Sequence, residues 1–411
     1  MSTSKLTFTD FQNTSFQAWE EKIIKDLKGK SIDDITSINW EGIKVTPHID
    51  KEAITNYASL KTSEGWLINR TITVTSDTEA NKLALKALEN GANSITFIGD
   101  VTSLEVLLEG ILIDIITIHF RTNGALSLTS ELKNYCLNKN IDFKTLSGSI
   151  TYLSEPTVED LDLLVNELNE TKLKCLWIDS NQWLNKGANS TLQIGLGLAQ
   201  VNEYLGRFGS KIASKIIFEV SLGHDYFVET AKINTLRHMA SSIFSEYDLV
   251  SEIAIIGTVS QLFWSDEDVE NNLLRGSISA MAGAIGGVDE LTIPSFDQSD
   301  SINSFRLSDN IQHMLKEESN IHWISNAPEG SYYLNYLTNE IIDKSWSFFQ
   351  KIEALGGYSK LPSTNLSSWL KNSADALCQL VNSDQLKVIG ITVYNDSKRQ
   401  LNYNGEKFNW R

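Results

Sequence analysis

The sequence predicts an α/β fold in which eight strands alternate with helices, and two observations carry the expectation. Short runs rich in β-branched and aromatic residues recur between Trp66 and Ile293, and most gaps between them hold apolar residues at helical spacing. The stretch Asn271 to Asp297 then reads as a complete helix–loop–strand unit. Leu273, Ile278, Met281 and Ile285 recur at helical spacing, Gly286-Gly287 stops the helix, and Leu291-Thr292-Ile293 forms a short strand ended by Pro294. Asp297 lies just beyond the carboxyl end of that strand, where chemistry collects in barrels of parallel strands. Alternation of this kind fits a (β/α)8 barrel and a doubly wound open sheet equally, and periodicity does not separate them.

Taken in order, residues 1–60 read as an extended arm with one short helix. Phe16, Trp19, Ile23, Ile24 and Leu27 sit at helical spacing, and Lys28-Gly29-Lys30 ends the helix. Trp19, Leu27 and Trp40 are too apolar for a solvated tail, so they pack on the chain's own body or on a second chain. Strands are expected at Trp66–Val74, Ser94–Ile98, Asp114–Ile118, Ile141–Thr145, Leu173–Ile178, Ile216–Ser221, Ser251–Ile256 and Glu290–Ile293. The plainest helices are Asp77–Asn90, with Asp77 as its cap, Leu192–Arg207 and Tyr226–Phe244. Phe305–Lys316 and Ser331–Leu355 follow the last strand. The tail reads as a helix, Ser367–Val381, and one strand, Lys387–Tyr394. The division expected is an arm over 1–60, a barrel over 61–360 and a C-terminal extension over 361–411.

An apolar fraction of 41% and a charged fraction of 21% describe a soluble globular protein. A net charge of −17 argues against nucleic acid or an anionic membrane as partner. Cys136, Cys175 and Cys378 lie far apart in no metal-ligand spacing, which reads as reduced thiols in a cytoplasmic protein. The start lacks the apolar core of a signal peptide, and the longest apolar stretch, Val106–Ile118, is interrupted by Glu109 and Asp114 and is too short to span a bilayer.

The run Asn272–Asp297, with its N-x-x-R, GG and D in order, resembles the methylmalonyl-coenzyme A mutase family. The likeness continues through Arg306-Leu-Ser-Asp-Asn310, Glu317-Glu318-Ser319, Gly330-Ser-Tyr-Tyr333, Leu337-Thr338, Ile352-Glu353 and Gly356-Gly357. The arm, with Trp19, Asp26-Leu27-Lys28-Gly29-Lys30 and Trp40-Glu41-Gly42-Ile43, is similar to the family's partner-wrapping amino-terminal segment. The resemblance implies a (β/α)8 (TIM) barrel and decides against the open sheet. It also implies work on acyl-coenzyme A isomers by radical rearrangement with adenosylcobalamin, the cofactor supplying the radical.

Two features of the family's catalytic chains do not match. The cobalt-ligating signature D-x-H-x-x-G is absent, since none of the six histidines has glycine three residues later. No cobalamin-binding flavodoxin-like domain is expected in this sequence. The second departure follows the fifth strand. Anchored on Gly187-Ala188, Asn181 and Gln182 fall where the family places its catalytic Tyr and His. Gln182 exchanges hydrogen bonds but delivers no proton near neutral pH.

The resemblance is therefore to the small, non-catalytic subunit of a two-chain mutase, with no catalytic residue, metal or cofactor of its own. Adenosylcobalamin would sit in the large catalytic partner, and Phe16, Trp19, Leu27 and Trp40 would face that partner. Two other readings stay open: an acyl-coenzyme A mutase barrel using a cobalamin domain in trans, and a barrel keeping a regulatory small-molecule pocket. The residues expected around such a pocket are Asp179, Asn181, Gln182, His224 and Asp297. His224-Asp225 reads as a helix cap before a catalytic pair, and an Asp297–Arg306 ion pair is expected to be structural.

Overall fold

The computed structural model describes residues 14–49, 65–299, 301–324, 327–395 and 398–410. Parts of the expected arm, residues 1–13 and 50–60, therefore lie outside the described residues.

Eight parallel strands form one sheet: β1 (Leu67–Thr73), β2 (Ser94–Ile98), β3 (Thr117–Thr122), β4 (Ser147–Tyr152), β5 (Leu176–Asp179), β6 (Ile216–Leu222), β7 (Ala254–Val259) and β8 (Glu290–Thr292). The first strand pairs with the eighth, Leu67 opposite Glu290, so the sheet curls into the (β/α)8 barrel. Its seam is β4 against β5, held by a single bridge at Ser149 and Lys174. Ile150 N donates to Lys174 O at 3.0 Å and Lys174 N to Gly148 O at 2.9 Å. Gly148, at φ +125°, is needed there, because a Cβ would lie 1.8 Å from the Ile118 carbonyl oxygen.

The strands alternate apolar outside and polar inside. Ile95, Phe97, Ile118, Phe120, Ile150, Phe218, Val220 and Leu291 belong to the shared hydrophobic core. Alternate positions carry Ser94, Thr96, His119, Ser149 and Glu290, also buried but bonded to one another. This polar lumen explains two shifts from the expected strands. The third strand is Thr117–Thr122 instead of Asp114–Ile118, and the fourth is Ser147–Tyr152 instead of Ile141–Thr145, where Phe143–Thr145 is a short 3-10 turn. Both real strands carry polar inward residues, so the neighbouring apolar run looks more strand-like.

The helices α1 (Phe16–Asp26), α2 (Asp77–Glu89), α3 (Ala125–Lys139), α4 (Val158–Leu168), α5 (Ser190–Phe208), α6 (Tyr226–Glu246), α7 (Glu270–Gly286), α8 (Ile302–His313), α9 (Tyr332–Ala354) and α10 (Ser363–Asn382) complete the fold. Ser76, not Asp77, caps α2, its hydroxyl accepting from Glu79 N. Gly287 ends α7 in the left-handed region at φ 91°. The tail has no strand over Lys387–Tyr394, only an isolated bridge from Ile389 to Val393; its ribbon is Leu401–Tyr403 with Phe408–Trp410.

The arm is pinned to the body at Trp40 and Glu41. Trp40 Nε1 donates to Ser373 O at 2.8 Å and its ring meets Phe408 edge-on, so Trp40 packs within its own chain. The Glu41 carboxylate accepts from Ser190 N at 3.1 Å, at the start of α5. Burial pushes Glu41 up to about 7 from its ordinary 4.5. A carboxyl whose folded pKa lies above its unfolded value favours the folded state while protonated, so stability falls as pH rises from about 4.5 through 7. Glu41→Gln is therefore expected to gain stability over the parent at pH 8 by an amount on the order of 3 kcal/mol, and to show no gain at pH 4. Urea denaturation at the two pH values checks this, and an equal effect at both would show that charge is not the cause.

Candidate functional site

The carboxyl ends of β3, β5, β6 and β7 carry the side chains that fill the barrel mouth. Glu219, at the middle of β6, is their hub. It accepts from Arg121 Nη1 at 3.3 Å, Trp177 Nε1 at 2.8 Å, Thr258 Oγ1 at 2.7 Å and Asn181 Nδ2 at 2.7 Å. Arg121 Nη2 reaches Asp179 at 3.1 Å, and its guanidinium lies 4.9 Å over the Trp177 ring. Asn181 also accepts from the Ser221 hydroxyl, and its backbone N–H donates to Asp179 at 2.9 Å. Burial and the Asp179 charge push Glu219 up, against the pull of Arg121 and the bonds from Thr258 and Trp177.

A second polar layer lies deeper. His119 bonds Ser149 through Nδ1 at 2.9 Å and Glu290 through Nε2 at 3.1 Å, while Ser94 Oγ donates to Glu290 at 2.6 Å. Burial alone would raise Glu290, but the His119 charge and the bonds from His119 and Ser94 outweigh it and hold it below the ordinary carboxylate range. Asn69 Nδ2 links Thr96 and Thr292, each at 3.0 Å. The His119 ring meets Trp177 edge-on at 5.5 Å and joins the two layers. Such a network rigidifies the lumen, since each side chain named in it holds at least one partner, although Arg121 Nε has none.

The five residues expected around one pocket go to four places. Asp179 and Gln182 line a cavity of about 470 Å³ beside the β4–β5 seam, with Arg121, Trp177, Tyr204 and Tyr358. Asn181 is taken up by Glu219 and Ser221. His224 lines a separate cavity of about 440 Å³ under the arm, its ring 4.3 Å from that of Phe263. The adjacent Asp225 caps α6, accepting from Val228 N at 3.2 Å, as its position before a helix implied. Asp297 closes its own turn, accepting from Ser299 Oγ at 2.8 Å and Ser304 Oγ at 2.5 Å, and no Arg306 pairing forms. Those bonds hold Asp297 low despite its partial burial.

Sequence reasoning passed over Arg121, Glu219 and Glu41. Their signal was a charged residue inside an otherwise apolar strand or run, which burial turns into a paired group. Among the described residues no group of three or more His, Cys, Asp or Glu is placed to hold a metal ion. No described helix is long and apolar enough to cross a membrane. Cys136 and Cys175 are buried free thiols.

A parallel eight-stranded barrel with a polar lumen and a helical extension is the class these features define. The sequence profile of methylmalonyl-CoA mutase matches residues 165–409, from the end of α4 to the C-terminal ribbon, and the chain belongs to that family. It is 28% identical to the methylmalonyl-CoA mutase small subunit of Porphyromonas gingivalis, over 87% of this chain and 66% of the relative. Against the small subunit of Propionibacterium freudenreichii subsp. shermanii it is 27% identical, over 68% of this chain and 48% of the relative. The large subunit of the Porphyromonas gingivalis enzyme is 25% identical, over 71% of this chain and 46% of the relative. The chain thus spans 46% to 66% of the length of these relatives.

Proposed function

We propose that this chain is the non-catalytic small subunit of a two-chain, adenosylcobalamin-dependent methylmalonyl-coenzyme A mutase, and that it stabilises the large catalytic chain. The observation that carries the reading is the fate of Asn181. By the family resemblance, Asn181 and Gln182 stand where catalytic chains place Tyr and His, and here the Asn181 amide is bonded to Glu219 and Ser221 at both ends. It tightens the barrel mouth instead of facing a reactant. Two relatives named as small subunits, and one named as a large subunit, support the two-chain arrangement.

The residues present do not fit a cobalt ligand of the family's kind, because no histidine here has glycine three residues on. Adenosylcobalamin therefore belongs to the partner in this reading, and no step is assigned to this chain. Its contribution is a rigid barrel, and an arm offered to the partner.

The test is co-expression with a large mutase chain. The two are expected to co-purify one to one and the complex to interconvert methylmalonyl- and succinyl-coenzyme A. This chain alone is expected to retain no adenosylcobalamin in equilibrium dialysis and to show no turnover. Near-stoichiometric cofactor retention by this chain alone would overturn the reading. Turnover with only an isolated cobalamin-binding domain added would replace it with a barrel that borrows that domain. A second reading, a retained regulatory pocket, is favoured by the cavity that Asp179 and Gln182 line. Saturable binding of an acyl-coenzyme A there would establish it.

A further inference from the structure

The cavity under the arm is built from buried polar groups that the subunit reading does not use. It lies at the carboxyl ends of β6 and β7, floored by the starts of α5 and α6 and covered by residues 37–41 and the segment after α10. Several of its donors are already engaged, while Asn39 Nδ2, on the same wall, has no hydrogen-bond partner. Lys232, buried, is paired with Glu229 and donates to the Ser221 carbonyl. The Ser190 N–H goes to Glu41, and the Val228 N–H goes to Asp225.

An acceptor remains. Gln193 is 2% exposed and lines the cavity, and its Oε1 has no hydrogen-bond partner. Its orientation is set, because Nε2 donates to the Ala188 carbonyl at 2.9 Å and a flip would set two oxygens against each other. A buried amide oxygen without a partner carries a desolvation penalty that a ligand donor relieves.

Charge points the same way. Three carboxyl groups, Glu41, Asp225 and Glu229, line the cavity with the buried Lys232, and the exposed Lys387 stands at its rim. Leu184, Val228, Leu262 and Phe263 give another part of the wall an apolar face, beside polar residues such as Asn39, Ser221 and Ser260. We propose that this cavity binds a small primary ammonium ion with a short alkyl chain, its N–H donors meeting Gln193 Oε1 and the carboxylates, and its chain lying on the apolar wall.

Glu41 makes the binding pH-dependent. Burial raises it to about 7, and the Asp225 and Glu229 charges add to this against Lys232. A bound cation favours the Glu41 carboxylate, so binding releases a proton and strengthens as pH rises through 7. Burial also lowers His224, against the Asp225 charge, and raises Glu229, against the Lys232 charge.

The experiment is calorimetric titration of the whole chain with n-butylammonium, 1-butanol and butyrate at pH 6 and pH 8. One saturable site is expected for n-butylammonium, with a Kd of about 1 mM at pH 8 for so small a ligand. Binding should weaken about tenfold at pH 6, from the titration of Glu41. Butanol should bind at least about tenfold more weakly, lacking the charge and two of the donors, and butyrate not at all. Gln193→Leu and Glu41→Gln should each weaken n-butylammonium by about tenfold, with folding checked by thermal melting. Equal binding of butanol and n-butylammonium, no saturable ammonium site, or affinity unchanged in both variants would overturn the proposal. The parent chain alone decides the ligand comparison, and the outcome is independent of whether the chain pairs with a large subunit.

Discussion

Replacing Asp309 by alanine is expected to destabilise the fold by about 3–5 kcal/mol, because it strands a buried guanidinium. Arg70 and Asp309 are ion-paired with side chains 3% and 1% exposed. Arg70 sits on the outer face of β1 and also donates to Ile293 O at 3.2 Å and Phe305 O at 3.1 Å, its guanidinium 4.6 Å over the Phe305 ring. One side chain thus ties β1, the end of β8 and α8 together, beside the pairing of β1 with β8 that curls the sheet. Without Asp309 the charge keeps its carbonyl acceptors but loses its counter-ion in a site water does not reach. Arg70→Met with Asp309→Leu removes both charges and is expected to cost far less than the two single changes summed. Urea denaturation of the four proteins in the cycle measures the coupling. An Asp309→Ala loss of under about 1 kcal/mol would mean that solvent reaches the pair, and the account of α8 as a staple would fail.

That pair also shows where sequence reading stops. Arg70 lies in the run Leu67–Thr73, an obvious strand, and Asp309 lies in the segment Arg306–Asn310 that resembles the mutase family. Both elements were legible, yet their partnership spans 239 residues and leaves no local pattern. Helices such as α5, α6 and α9 were legible nearly to their ends because their apolar faces repeat at the helical period. The third and fourth strands were displaced because their inward residues, His119, Arg121, Ser149 and Thr151, are polar for the sake of the lumen. Asn181 was singled out from the resemblance alone. Its role in the network depends on Glu219, 38 residues away, and periodicity says nothing about that. Trp40 illustrates the opposite case. Its apolar character was visible, but only the tertiary structure assigns it to α10 and the C-terminal ribbon.

With Trp40 engaged internally, the partner-facing residues proposed for the arm reduce to those of α1, and Phe16→Ala with Trp19→Ala is expected to weaken pairing with a large mutase chain by about a hundred- to ten-thousand-fold. Helix α1 has no buried residue, although Phe16, Trp19, Ile23 and Leu27 recur along it at helical spacing. Phe16 is 43% exposed, and its ring stacks at 5.5 Å on both Trp19 and His48, a small aromatic cluster at the surface of the described residues. Burying each aromatic against a partner contributes roughly 1.5–3 kcal/mol, and two together give the stated range in Kd. Because nothing in α1 is buried in the isolated chain, the double variant should melt within a degree or two of the parent, about what a surface substitution produces. Trp40→Ala is the contrasting control. It removes the bond to Ser373 O and the contact with Phe408, so it should lower the stability of the chain by about 2–4 kcal/mol whether or not a partner is present. Affinity is read by titrating the large chain against immobilised parent and variants, and stability by denaturation of the isolated chains. If the α1 double variant pairs with unchanged affinity, the large chain docks on another face and the arm serves only this chain's own barrel.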